Sequence, residues 1–148
     1  MKKDKIEIFK SASVIDTHAH VVLEETENSA GTLGPEMLFD GQTPVYRIGD
    51  YHLKGVNYKN TAFMDPKIRI DKMDEANIDL QVLTPNPLTY FHYSEKDLSI
   101  NFSKKHNDSL SYHIKYAPTR LVGMANLPLQ DPSASVDELH RAIEDLDL

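Results

Sequence analysis

The sequence predicts an α/β fold built on a parallel sheet, and three observations carry that prediction. Short apolar runs alternate with amphipathic stretches in the order strand, helix, strand, helix, strand, helix. Alternation of this kind builds parallel strands joined by right-handed crossovers. Two of the helical stretches open on the same signal, Asp65-Pro66 and Asp131-Pro132. Each is an N-cap acceptor followed by proline at the first helical position, where the missing N–H costs nothing. Finally, no glycine-rich phosphate loop follows any strand, which ranks a doubly wound open sheet behind a parallel barrel.

Taken in order, Lys2 to Ser13 reads as a polar lead-in with an apolar patch at Ile6, Ile8 and Phe9. Val14 to His18 is the first strand. From Val21 to Met64 there is no sustained period, and glycines and prolines recur. A loop of that length carries function or its own hairpins. Val45–Ile48 and Tyr51–Leu53 suit a hairpin around Gly49-Asp50. The first helix then runs from Asp65 to about Ala76, with Ile70 and Met73 toward the core and Asn77 closing it. Ile78 to Leu83 is the second strand, stopped by Pro85 and Pro87. Ser94 is placed to cap a long helix over residues 95–116, whose apolar stripe is Leu98, Phe102, Leu110 and Ile114. Leu121 to Leu127 is the third strand. The third helix follows Asp131, with Val136, Leu139, Ile143 and Leu146 as its stripe. Three parallel strands leave edges unpaired, so residues 1–148 read as one partial domain, the front of a larger barrel.

Composition narrows the partners. An apolar share of 40% fits a folded domain and argues against disorder. A formal net charge of −7 argues against nucleic acid, which selects a basic patch, and no apolar run is long enough to cross a bilayer. The chain has no cysteine, so a metal site must use His, Asp or Glu. That fits a cytoplasmic protein.

One short stretch carries chemistry: Val14-Ile15-Asp16-Thr17-His18-Ala19-His20. Strand side chains alternate with period two, so His18 and His20 share a face, with Cα atoms about 6.5–7 Å apart. Two imidazoles at that separation can converge on one divalent ion. The pair stands at the C-terminal end of the first strand, where parallel barrels place their chemistry. His106, His113 and His140 fall on helices and read as packed or solvated. His52 and His92 fall in loops, where substrate contacts occur.

That opening strand resembles those of the metal-dependent amidohydrolase superfamily. Met64 to Asp74, Asp79 to Pro87, Asn107-Asp108 and Leu127 to Pro132 narrow the resemblance to the amidohydrolase-related branch that includes aminocarboxymuconate-semialdehyde decarboxylase. It runs from about Ser13 onward. It implies the N-terminal portion, about three βα units, of a TIM (β/α)8 barrel, with a long insertion over residues 21–64 after the first strand. It further implies a divalent metal, zinc in the first place and manganese as the alternative. His18 and His20 are ligands, and a later histidine and a late aspartate would lie past Leu148. The implied activity is non-oxidative decarboxylation of an unsaturated or aromatic carboxylate, by a full-length homodimer. A hydrolase of an amide or lactone is open on the same fold, as is an inert truncated piece. For the substrate carboxylate the candidates are Lys54 and Arg47 in the long loop, with Thr84, Asn86 and Tyr90 after the second strand.

Overall fold

The computed structural model describes residues 3–148. Of the expected lead-in, Lys2 lies outside the described residues; the rest is a helix, α1 (Lys3–Ser11). A tertiary contact holds it: the Lys5 ammonium, buried, donates to the Asp147 carbonyl at the far end of the chain. β1 (Ile15–Val21) follows and is longer than expected, so both histidines are inside the strand.

The stretch after β1 is more ordered than its composition implied. The expected hairpin forms as β3 (Thr43–Ile48) and β4 (Tyr51–Lys54), and β2 (Glu36–Asp40) joins it. The three make an antiparallel sheet in the order β2-β3-β4. Glu36-Met37-Leu38-Phe39-Asp40 lacks alternation, and Phe39 is largely exposed. Pairing with β3 therefore makes β2 a strand, and no local pattern announces it. Gly41 takes a positive φ of 62° in the turn between β2 and β3, a conformation that disfavours any other residue.

α2 (Pro66–Glu75) starts as predicted. The Asp65 carboxylate accepts from the Lys67 and Ile68 amides at 2.8 and 3.2 Å. β5 (Leu80–Pro85) is next, then α3 (Lys96–Ile114). Ser94 does not cap α3. Its hydroxyl donates backward to the Phe91 carbonyl at 2.8 Å, and Glu95 takes the cap position without a side-chain bond. The predicted stripe of α3 holds: Phe102, Leu110 and Ile114 are buried.

β6 spans only Leu121–Gly123, against the expected run to Leu127. Met124 makes one last bond to the Leu83 carbonyl, at 2.8 Å. The chain is then taken over by a side chain. Asn107 of α3 accepts from the Asn126 amide at 2.7 Å and donates to its carbonyl at 2.9 Å. A backbone served this way needs no neighbouring strand.

α4 (Pro132–Glu144) shows the largest departure. Its start is as predicted, with Asp131 accepting from the Ala134 amide at 2.9 Å. Its apolar stripe, however, faces outward: Val136, Leu139 and Ile143 are 54%, 41% and 40% exposed. Ser135, Glu138 and Ala142 face inward instead. Glu138 is buried because Asn107 donates to it at 2.7 Å and Arg141 at 2.8 and 2.9 Å. Periodicity identifies a helix and its apolar side, but not which side meets the sheet.

The main sheet is parallel in the order β1-β5-β6. Ala19, Val21, Leu83 and Leu121 pack against Met73 of α2 and Leu110 and Ile114 of α3. A second cluster lies under the small sheet, where Tyr46 and Ile48 meet Val22, Phe91 and Phe102. Gly123 is a close approach, since a Cβ there would lie 2.7 Å from Leu148 and 3.0 Å from Leu110. No helix among the described residues is long and apolar enough to cross a membrane.

Asn107 is fully buried and makes three bonds that join α3, the chain after β6 and α4. Asn107→Ala is expected to lower unfolding free energy by about 2–4 kcal/mol, because it strands buried polar partners. His140→Ala, on the exposed face of α4, is expected to change it by less than about 0.5 kcal/mol. Urea titration of both variants measures the difference.

Candidate metal centre

The site begins with an irregularity in β1. Asp16 pairs with Gln81 and Ala19 with Leu83, so three steps along β1 match two along β5. The extra residue is a bulge at Thr17-His18, of the kind that re-aims side chains beside functional sites. Beyond it Ala19 and Val21 are buried toward the helices, whereas His18 is exposed and His20 half-buried. The two imidazole rings stand 5.0 Å apart, centroid to centroid, at 79°.

The tautomer of His20 follows from its partners. Nδ1 lies 3.1 Å from the Pro85 carbonyl and 2.9 Å from the Thr84 hydroxyl. A carbonyl only accepts, so Nδ1 carries the proton and donates to it. In the neutral ring that leaves the lone pair on Nε2. That is the usual state of a histidine prepared as a ligand, with its other nitrogen pinned by a second partner.

Beneath the pair, Asp16 accepts from the His18 amide at 2.9 Å and from Gln81 at 2.8 Å. Its carboxyl is held below the usual range, chiefly by the His18 N–H, against the opposing effect of burial. Gln81 in turn accepts from Arg69 at 2.6 Å, and Arg69 also donates to the His20 carbonyl at 2.8 Å. Burial pushes the Arg69 guanidinium down to about 10, with Asp16 opposing, so it stays charged at neutral pH.

The structure brings some of the predicted residues together. Thr84 touches His20. Asn86 is buried, and its side chain accepts from the Leu88 amide at 3.0 Å, capping the turn Pro87–Thr89. Arg47 donates to Glu36 at 2.7 Å and to the Thr32 and Gly49 carbonyls at 2.8 and 3.0 Å, which occupies its fork. Lys54 pairs with Asp40 at 3.2 Å in the open. By strand alternation Arg47, His52 and Lys54 lie on the face of the small sheet opposite Tyr46 and Leu53, the residues that pack inward. The structure therefore does not gather these cations at the histidine pair.

Tyr90 and His92 stack, 5.4 Å apart and 8° from parallel, in the segment after β5. Phe91 between them is buried against Phe102. His106 and His113 are buried in α3, and His140 is exposed beside Glu144. No group of three or more His, Asp or Glu among the described residues forms a metal cluster. The pair thus suits two positions of a divalent ion's shell, with neutral nitrogen donors.

Sequence reasoning missed Arg69 and Gln81. Both left a signal. Arg69 stands one helical turn before Met73, on the face that meets the sheet, and Gln81 interrupts the apolar run from Ile78 to Leu83.

No family model matches the chain. It is 35% identical over 79 residues to gamma-resorcylate decarboxylase of Rhodococcus jostii, covering 53% of this chain and 24% of that protein. Over 84 residues it is 29% identical to 2-amino-3-carboxymuconate-6-semialdehyde decarboxylase of Dictyostelium discoideum, covering 57% of this chain and 23% of that protein. The curated relatives that the chain matches are aminocarboxymuconate-semialdehyde and gamma-resorcylate decarboxylases. Dihydroxybenzoic acid decarboxylase from Polaromonas sp. JS666, solved with manganese and 2-nitroresorcinol, superposes with a TM-score of 0.65 at 23% identity. That match covers 91% of this chain and 36% of the other. The fold is accordingly a partial α/β barrel. The chain spans about a quarter of the length of the curated relatives it matches.

Burial holds His106 and His113 each at about 4, below the usual histidine value. In the unfolded chain a histidine takes up its proton near pH 6.5. Between pH 6.5 and 4 the unfolded state therefore binds protons that the native state refuses, and stability falls as pH is lowered through that window. The urea midpoint is expected to drop from pH 7 to pH 4.5, and His106→Gln is expected to flatten that slope.

Proposed function

We propose that His18 and His20 are two ligands of a divalent ion in a non-oxidative decarboxylase of an unsaturated or aromatic carboxylate. One observation carries this reading: the two rings converge at the C-terminal end of β1, with Nε2 of His20 left as a donor, in a chain whose homologues are decarboxylases. Zinc is the metal we assign, since paired imidazoles suit it. A divalent ion held there supplies Lewis acidity to a carboxylate substrate. Thr84 orients the His20 ring, and Asn86 fixes the turn that follows β5. Neither loop cation stands at the histidine pair: Lys54 holds an exposed, weak pair with Asp40 on the outer face of the small sheet. Arg47 is committed to holding β2 against β3.

Two imidazoles hold a divalent ion loosely, since zinc sites use three or four protein donors. With no third donor beside the pair among the described residues, the 148-residue chain by itself is a weak zinc binder with negligible turnover.

Isothermal titration of the purified chain with zinc is expected to give weak binding of one ion that His18→Ala and His20→Ala each abolish. Binding that survives both substitutions removes the metal assignment. The chain is also expected to carry a decarboxylase site when it replaces the homologous segment of the Rhodococcus gamma-resorcylate decarboxylase. Metal-dependent release of carbon dioxide from gamma-resorcylate, lost in His18→Ala, supports the reading. A folded, metal-loaded chimera that releases none overturns it.

A further inference from the structure

A buried arginine on α2 does something the metal reading does not by itself require. Arg69 is 5% exposed, and its Nε has no hydrogen-bond partner among the described residues. Its two terminal nitrogens go to the Gln81 side chain at 2.6 Å and to the His20 carbonyl at 2.8 Å. Gln81 passes the connection to Asp16 at 2.8 Å, and Asp16 accepts the His18 amide at 2.9 Å. One polar chain, built from a helix and two strands, thus grips both ends of His18-Ala19-His20: the amide at its start and the carbonyl at its end.

We propose that Arg69, acting through Gln81 and Asp16, is a positioning residue that sets the aim of the two histidine rings. The bulge explains why such a device is needed. The extra residue at Thr17-His18 breaks the β1–β5 ladder between Asp16 and Ala19. Backbone groups there lose regular partners, and a strand freed from its ladder has no fixed side-chain direction. Asp16 serves the His18 amide inside the break, and Arg69 holds the His20 carbonyl just beyond it, where the ladder resumes opposite Thr84. Stability alone does not account for a buried guanidinium at this position. An apolar side chain of similar volume on the core face of α2 serves stability as well or better. What only a charged fork at this position does is hold the His20 carbonyl and the Gln81 amide at once.

Arg120 provides the comparison within the same molecule. It clamps the two residues just before β5, donating to the Asp79 and Ile78 carbonyls at 2.7 and 2.9 Å, and to Asp74 at 2.7 Å, at the strand end remote from the histidines.

The inference rests on the metal reading above, so the test separates the two. In the metal-free 148-residue chain, nitrogen-15 NMR reads the His18 amide and the His20 ring directly. Arg69→Gln and Gln81→Glu are each expected to shift both signals, and Arg120→Gln is expected to shift neither. Gln81→Glu keeps an acceptor for Arg69, replaces the donor to Asp16 with a carboxylate oxygen that repels it, and so breaks the same link; it stands in if Arg69→Gln does not fold. In zinc titrations the first two variants are expected to lose about 10–100-fold in affinity, and Arg120→Gln to stay within about twofold of the parent. Unmoved histidine signals in Gln81→Glu, or an equal loss of affinity in Arg120→Gln, overturn the positioning role. A parent chain that binds no zinc removes the metal reading, and the metal-free signals then still decide whether Arg69 positions the rings.

Discussion

The parallel pairing of β1 with β5 is the constraint on which the rest of the molecule depends. It puts His20 opposite Thr84 and one residue short of Pro85, whose carbonyl fixes the proton on Nδ1. It also forces the bulge, because three residues of β1 must fit beside two of β5. A regular ladder puts His18 and His20 on one face but says nothing about their angle. The bulge and its polar supports bring the rings to 5.0 Å at 79°. The side of β1 that carries Ala19 and Val21 packs on α2 and α3, so the same strand is a core element on one face and carries the histidine pair on the other.

A second feature is how much of the interior is polar. Arg69, Gln81, Asn107, Asn126 and Glu138 are all buried, and each bridges separate elements. Buried groups of this kind cost stability unless they are paired, and nearly all of these are. Their pairing explains two local departures from pattern. β6 stops at Gly123 because Asn107 serves the Asn126 backbone, and α4 turns Glu138 inward because Asn107 and Arg141 are there to receive it. The price of that orientation is an exposed row at Val136, Leu139 and Ile143.

The small antiparallel sheet has a different character. Its inward face is apolar and aromatic, with Tyr46 against Tyr58 at 4.8 Å. Its other face carries Arg47 with Glu36 and Lys54 with Asp40. Charges that a linear reading offers to a substrate carboxylate are, in three dimensions, mostly internal to that sheet. Arg47 in particular satisfies a carboxylate and two carbonyls that would otherwise lack a donor at the foot of β3.

Much of this was legible in the chain itself. The strand–helix alternation, the Asp-Pro starts of α2 and α4, the hairpin after Pro44 and the histidine pair at the end of the first strand are local patterns, fixed by backbone sterics and side-chain period. What only the tertiary structure decided involves partners far apart in sequence. β2 is a strand because β3 lies beside it. α1 is held through Lys5 at the opposite end of the chain. Arg69 and Gln81 matter because α2 and β5 bring them under His20, 49 residues away from Arg69 in the first case. Hydrogen bonds and burial between distant segments have no sequence period, so the histidine pair could be read off the chain, whereas the polar scaffold beneath it could not.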